Sequence, residues 1–192
     1  MNNNFETLSQ LIKNRRSIFP ASYIQKEIPI TVIEQILESA NYAPTHKLTQ
    51  PWRFVVIRKE AKTRLGTTLA QLYKEKAGAS NFLQKKHDSF TQKTAQADCI
   101  LAINIQFHPD KVPNWEEIAA VACSVQNIAL TAESLNVGGY WSSPPLIDDL
   151  DDFLGLNENE KCFGLFYMGY HNEEIREANR TPITDKIKWI EK

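Results

Sequence analysis

Residues 40–56, ANYAPTHKLTQPWRFVV, combine the end of a helix, a short loop between two prolines and the start of an apolar strand. Pro44 cannot continue a helix, and a chain held between two prolines has few conformations open to it. Such a loop can hold polar side chains in fixed positions, and this one carries His46 and Gln50. The loop also suits an ordinary helix-to-strand connection with a solvent-facing histidine, so both interpretations stay open.

Two helices are predicted upstream of this loop. Residues 30–44, ITVIEQILESANYAP, carry apolar residues at helical spacing. Thr31 followed three residues later by Glu34 predicts a capping box at the start of that helix. Residues 5–13, FETLSQLIK, predict a shorter amphipathic helix that leads directly into the segment NRRSIFP, residues 14–20.

That segment carries Arg15, Arg16 and Ser17. Guanidinium groups and a hydroxyl suit a terminal phosphate, because charge-assisted hydrogen bonds are the strong ones. In an extended segment Arg15 and Ser17 point to one side and Arg16 to the other. The alternative is that both arginines are cations that cap the C-terminus of the first helix, and the sequence allows it equally.

Downstream, the pattern alternates between helices and strands. Residues 60–93 predict two helices, and the apolar run at 97–105, ADCILAINI, predicts a central strand. Trp115 to Asn136 predicts a long helix that is apolar almost all round, which is typical of a core helix. Residues 162–170, CFGLFYMGY, predict the last strand. The fold class expected is α+β, with helices on both faces of a small mixed or antiparallel sheet.

The chain is expected to form a single domain over residues 1–192. Its last part, 171–192, is polar and has too little apolar content to fold alone. We therefore predict that this tail packs on the domain or on a partner subunit.

The segment GGYWSSPP, residues 138–145, is the third patch with distinctive chemistry. Its two glycines allow close approach of another backbone. Trp141 offers a flat apolar face, and Ser142 and Ser143 offer hydroxyl and N–H groups. The alternative is a core tryptophan beside a tight turn.

Composition excludes several classes of protein. Lys and Arg number 22 against 23 Asp and Glu, for a net charge of -1, which argues against nucleic acid or an anionic membrane as a partner. There is no apolar leader at the N-terminus and no run near the ~18 apolar residues of a membrane span. The three cysteines are odd in number and far apart, as expected of buried thiols in a cytoplasmic protein.

Common catalytic and nucleotide-binding motifs are missing. The sequence has no G-x-G-x-x-G, no Walker A loop and no G-x-S-x-G elbow, and its four histidines lack metal-ligand spacing. No metal is therefore expected. If the protein is an enzyme, its chemistry is expected to belong to a cofactor that is held without a glycine-rich loop.

Taken together and in order, the three patches resemble the nitroreductase-like family of FMN-dependent oxidoreductases. R-R-S is followed by A-x-x-A-P-x-x-x-x-x-Q-P-W-x-F-x-V at residues 40–56 and later by G-G-x-W. The resemblance covers residues 5 to about 170. In the detail of its motifs, the sequence resembles a small bacterial branch of NAD(P)H nitroreductases that carries V-P-x-W-E, here residues 112–116.

The resemblance implies an intertwined homodimer with a non-covalent FMN at each of two interfaces. It implies FMN contacts from both subunits: Arg15, Arg16 and Ser17 to the phosphate and ribityl side, Trp141, Ser142 and Ser143 to the isoalloxazine, and His46 and Gln50 reaching in from the partner subunit. It places Thr131, on the long helix, where the branch contacts a nicotinamide, and it makes Arg16 a candidate neighbour of flavin N1 and O2.

One position departs from the family pattern. Close relatives often carry an arginine after the tryptophan of G-G-x-W, where this chain has Ser142. The phosphate therefore has one cation fewer than in those relatives, and Arg180 in the tail is a candidate substitute.

The implied activity is hydride transfer from NADH or NADPH through FMN to an electron-poor acceptor such as a nitroaromatic or quinone. Because both substrates use the same flavin face, ping-pong kinetics are expected. No side chain is required as a catalytic acid or base. Two alternatives are a flavin-binding protein without turnover, for storage or sensing, and a scaffold in which R-R-S is only a helix cap.

Overall fold

Six helices and four strands build the part of the chain that the computed structural model describes, residues 3–192. The strands are β1 (Trp52–Arg58), β2 (Cys99–Gln106), β3 (Val137–Ser142) and β4 (Glu160–Tyr170). The helices are α1 (Asn3–Asn14), α2 (Ile30–Ala40), α3 (Glu60–Asn81), α4 (Gln84–Gln96), α5 (Asn114–Ser134) and α6 (Asp151–Leu154).

The strands form one antiparallel sheet in the order β1-β2-β4-β3. The α3–α4 hairpin brings the chain back to the end of the sheet that it left, so β2 runs antiparallel to β1. Of the two predicted kinds of sheet, mixed or antiparallel, the structure has the antiparallel one. Within residues 3–192 the single parallel contact is an isolated bridge between Ser17 and Gly139.

Helices cover both faces of this sheet, as predicted. Along β2, Ile100 and Ala102 face a cluster that includes residues of α3 and α4, whereas Leu101 and Ile103 face a cluster with α2 and α5. Seven of the eight β2 residues, all but Gln106, are buried, and β2 pairs with a strand on each side, so it is the central strand that its apolar run predicted.

Within this chain helix α5 is covered on one face only, so it is a core helix on that face alone. One face, with Val121, Val125 and Ile128, packs into the core, while Trp115 remains 67% exposed and Ile118 36% exposed. The helix therefore presents an uncovered apolar stripe on its outer side. It ends slightly earlier than predicted, and Asn136 beyond it takes a left-handed φ of 57°.

The capping box predicted for α2 does not form. The helix begins at Ile30, and Pro29 occupies the N-cap position with φ -56° and ψ 144°, without a side-chain cap. Thr31 therefore lies inside the first turn, where its hydroxyl is too far along the helix to act as the cap.

The tail after β4 is attached to the domain only along its first residues. Ser22 Oγ donates to Glu173 at 2.6 Å, and Tyr23 forms a bridge with His171. Residues 179–192 are exposed throughout and hold one short 3-10 turn, Ile183–Lys186. In the described part of the chain, no helix is both long and apolar enough to cross a membrane.

Candidate functional site

The first and third patches of the sequence meet at the edge of the sheet. The backbone N–H of Ile18 donates to the carbonyl of Gly139 at 3.0 Å, next to the Ser17–Gly139 bridge. The two glycines permit this approach as predicted: a Cβ on Gly138 would lie 3.0 Å from Ile18, and one on Gly139 would collide with the ring of Phe166. The R-R-S segment is thereby fixed beside β3.

A cavity of about 190 Å³ opens at this junction, between the sheet edge and α5. Its polar end is formed by Arg15, Arg16 and Ser17, and its apolar walls by residues of α5 and the sheet: Ala122, Val125, Ala129, Val137, Gly139, Trp141 and Phe166. A small cavity with apolar walls and a few convergent polar groups is the usual form of a ligand site.

The two arginines of the polar end have different partners. Arg16 Nη1 donates to the carbonyls of Lys13 at 2.6 Å and Arg15 at 2.8 Å, so Arg16 does cap the C-terminus of α1. Its Nε is buried without a partner, and the residue still lines the cavity rather than pointing away from it. Within residues 3–192 the Arg15 guanidinium has no hydrogen-bond or ion-pair partner, so it is available to an anion.

Trp141 closes the other end of the cavity. Its indole lies 5.6 Å from the ring of Phe163 and rests against Gly164, where a side chain would collide with Nε1. Gly164 also has φ 151°, which disfavours any other residue. In the described part of the chain Trp141 Nε1 is buried and has no hydrogen-bond partner.

Ser142 and Ser143 do not line this cavity. Ser142 is the last residue of β3 and pairs with Leu165, while Ser143 lines a neighbouring hollow behind Trp141. That hollow contains Cys162, and burial raises the pKa of the Cys162 thiol to about 11. The raised pKa disfavours the thiolate, which is the nucleophilic form of a cysteine.

The proline-bounded loop lies elsewhere on the subunit, against the outer face of α5. His46 Nδ1 is 2.6 Å from Glu116 Oε2, and Gln50 is exposed. Neither side chain lines the cavity of Arg15 within this chain. The loop is held by Thr45, whose Oγ1 accepts from the backbone N–H of Gln50 at 3.1 Å.

The backbone of this loop is unusual. Lys47, Leu48 and Gln50 all have positive φ, at 48°, 53° and 42°. Such conformations are costly for residues with a side chain and persist where the surroundings enforce them, often at functional sites.

Two other predicted residues also lie away from the cavity. Thr131 is half-buried on α5 but is not among the residues that line it. Arg180 is exposed, and its Nη1 donates to the carbonyl of Asn179 beside it. The tail cation nearest to the R-R-S segment is instead Arg176, whose Nη2 lies 3.4 Å from the carbonyl oxygen of Ser17.

Sequence reasoning missed two polar residues of α5 that line the cavity, Gln126 and Glu133. It also missed the contact of Arg176 with Ser17. The α5 pair carried a signal: with Ala122 and Ala129 they repeat at helical spacing on one face of an otherwise apolar helix. No pattern in the sequence indicated Arg176, because its position depends on the path of the tail.

Known proteins share this architecture. The sequence model of the Nitroreductase family matches residues 12–170. YfhC of Bacillus subtilis, named as a candidate NAD(P)H nitroreductase, is 30% identical over 94% of this chain and 92% of its own.

Two solved structures have the same fold. A nitroreductase-like family protein from Bacillus cereus matches with a TM-score of 0.84 and 23% identity over 96% of both chains. The FMN-dependent nitroreductase NfnB from Mycobacterium smegmatis, solved with NADPH, matches with a TM-score of 0.79 and 15% identity over 98% of this chain and 100% of that one. With these matches, and with R-R-S paired to G-G-x-W at one cavity, the chain belongs to the nitroreductase family.

Proposed function

We propose that this protein is an FMN-dependent oxidoreductase that uses NADH or NADPH. The observation that carries the proposal is the cavity lined by Trp141 and by Arg15, whose guanidinium has no partner within residues 3–192. Family membership and the NAD(P)H nitroreductase name of its relative YfhC support the same activity. The chemistry that FMN supplies is transfer of a hydride from NAD(P)H to an electron-poor acceptor such as a nitroaromatic or a quinone.

The residues of the cavity fit FMN. Arg16, whose Nε has no partner among the described residues, lines the cavity, and phosphate and ribityl oxygens are suitable acceptors for such a donor. Arg15 is the unpartnered cation for the phosphate, and the Ser17 hydroxyl lies next to it. The walls formed by Val125, Ala129 and Phe166 leave an apolar surface for a flat ring system.

We assign the additional cation of the tail to Arg176 rather than Arg180. Arg176 contacts the backbone carbonyl of Ser17 and its Nε lies 3.9 Å from Glu173, whereas Arg180 contacts its own neighbour Asn179. A phosphate with nearly two negative charges is held better by two cations than by one, and Ser142 offers no charge.

We also propose that the protein acts as a homodimer and that His46 and Gln50 complete the site of the partner subunit. The outer face of α5 supports this: exposed apolar residues follow one another at helical spacing, namely Trp115, Ile118, Ala119 and Cys123. The loop of His46 lies directly beside this stripe. The exposed tail residues Ile175 and Trp189 would be covered by a second chain as well.

The absorption spectrum of the purified protein tests the proposal. We expect a yellow protein with bound FMN, bleached by anaerobic NADH or NADPH and restored by a nitroaromatic or a quinone. A yellow protein that neither nucleotide bleaches would favour the alternative, a flavin-binding protein without turnover. A colourless protein that does not take up FMN would contradict both functions.

A further inference from the structure

A second cavity, of about 380 Å³, lies on the opposite face of the sheet and shares no lining residue with the first. It opens where the α3–α4 hairpin meets residues 144–146, just after β3. Three of its walls are buried members of the core cluster on that face: Tyr73, Phe90 and Leu146. The buried part of this cavity is therefore mainly apolar, with two aromatic rings among its walls.

The walls are fixed by contacts within the hairpin. The Tyr73 hydroxyl accepts from the backbone N–H of Leu83 at 3.0 Å and donates to the carbonyl of Asn81 at 3.2 Å. The Tyr73 ring lies 5.7 Å from that of Phe90. Gly78, with φ 61°, bends α3 just before this turn. The cavity is thus preformed, which lowers the entropic cost of filling it.

Two lysines stand at its mouth, and they differ in their partners. Lys76 forms an ion pair with Asp149. Lys86 Nζ lies 4.9 Å above the centre of the Tyr73 ring and has no acidic partner within residues 3–192. One unneutralised ammonium group therefore stands at the edge of an aromatic pocket.

We propose that this cavity binds a small monocarboxylate with a flat apolar body. The apolar body fits against Tyr73, Phe90 and Leu146, and the carboxylate reaches Lys86 at the mouth. A polyanion such as a nucleotide is disfavoured, because the second lysine is already neutralised by Asp149. The inference does not depend on the flavin chemistry proposed above.

The test compares two probes of the same shape, 1-naphthoate and the neutral 1-naphthalenemethanol, by calorimetry on the full-length protein with its FMN. We expect naphthoate to bind about 10-fold more tightly, the range of a charge-assisted contact. Lys86→Gln should remove this preference. Lys85→Gln, the same change at an exposed neighbour outside the cavity, should retain it.

A variant with a larger side chain in the cavity tests whether the ligand binds there. Ala77 lines the cavity and is half-buried, so Ala77→Leu should weaken both probes at least 10-fold. If this variant does not fold, as judged by circular dichroism, the Lys86 and Lys85 pair still decides the question.

Three results would overturn the proposal. One is equal affinity of wild-type protein for the two probes, and another is a naphthoate affinity that Lys86→Gln leaves unchanged. The third is naphthoate binding that shifts the flavin spectrum and survives Ala77→Leu, which would place the probe in the first cavity. Naphthoate should still bind to protein stripped of FMN. The naphthoate result therefore does not depend on the flavin assignment, and either proposal can fail without the other.

Discussion

Arg176 and Ser17, which lie far apart in the sequence, are neighbours in the structure: Arg176 Nη2 is 3.4 Å from the Ser17 carbonyl oxygen. The contact brings the tail to the polar end of the candidate flavin cavity. Arg176 is thereby the tail cation next to the R-R-S segment, although its Nε also lies 3.9 Å from the Glu173 carboxylate and its side chain does not line the cavity.

The two tail arginines should therefore differ in their effect on FMN binding. Arg176→Ala should weaken FMN about 3- to 10-fold, as expected for a partly exposed charged contact, and Arg180→Ala should change it less than 2-fold. Fluorescence titration of the stripped protein at low salt measures both. The reverse order of the two effects would return the role to Arg180.

Arg15 should matter more than either. Because it has no partner in the described chain and lines the cavity, Arg15→Ala should weaken FMN by about 10-fold or more, corresponding to roughly 1.5–3 kcal/mol for a charged hydrogen bond. Riboflavin lacks the phosphate, so its poor binding should be nearly the same in wild type and variant. Equal wild-type affinity for riboflavin and FMN would show that the phosphate is not the main anchor.

Gly139→Ala should damage the apolar wall. A Cβ at this position collides with the Phe166 ring, and overpacking of this kind typically costs about 1–3 kcal/mol of unfolding free energy. We expect a lower midpoint in urea and weaker flavin retention. The double variant Gly139→Ala/Phe166→Leu should recover part of the loss, since the smaller side chain makes room. No recovery would mean that the damage arises from the backbone at Gly139.

Mixing of subunits tests the shared site. Arg15→Ala and Gln50→Ala homodimers should each retain flavin poorly. A heterodimer of the two variants should contain one cavity with both substitutions and one with neither. After mixing and refolding, each heterodimer should therefore bind flavin at one of its two sites. The measurement is the flavin-to-protein ratio after gel filtration. A flavin-loaded monomer at micromolar concentration would contradict the arrangement.

Alkaline pH should destabilise the fold through two buried thiols. Burial raises the pKa of Cys99 to about 12 and that of Cys162 to about 11, well above the ordinary value of a thiol. Above about pH 9 the unfolded chain loses these protons while the folded chain keeps them, so the free energy of unfolding falls as pH rises. From pH 8 to pH 10 each thiol should contribute a decrease of about 1 kcal/mol.

Urea denaturation at the two pH values measures this decrease. Cys162→Ala should reduce it, whereas Cys123→Ala, at the exposed cysteine, should leave it unchanged. A wild-type free energy of unfolding that is the same at pH 8 and pH 10 would contradict the expected loss of protons.

The sequence was informative where local chemistry decides the structure. The apolar run of β2 predicted a central strand, and Pro44 predicted the loop that His46 occupies. The pair of glycines before Trp141 predicted a close approach of backbone, although not that Ser17 is the partner.

The errors arose where tertiary structure decides. Thr31 was predicted as an N-cap, but Pro29, two residues earlier, occupies that position. The apolar composition of α5 predicted a core helix, but an alanine-rich sequence does not distinguish a face buried in its own chain from an exposed one. The position of Arg176 follows from contacts such as Ser22 with Glu173, which no spacing in the sequence encodes.

The hydrogen bond from Ile18 to Gly139 also constrains the order of folding. It closes a loop of about 120 residues, and the entropy of that closure must be overcome before the contact forms. The cavity therefore cannot exist in a chain whose sheet edge is still unformed. A ligand that binds there stabilises only the completed fold, so the cofactor should raise the barrier to unfolding without guiding the early steps of folding.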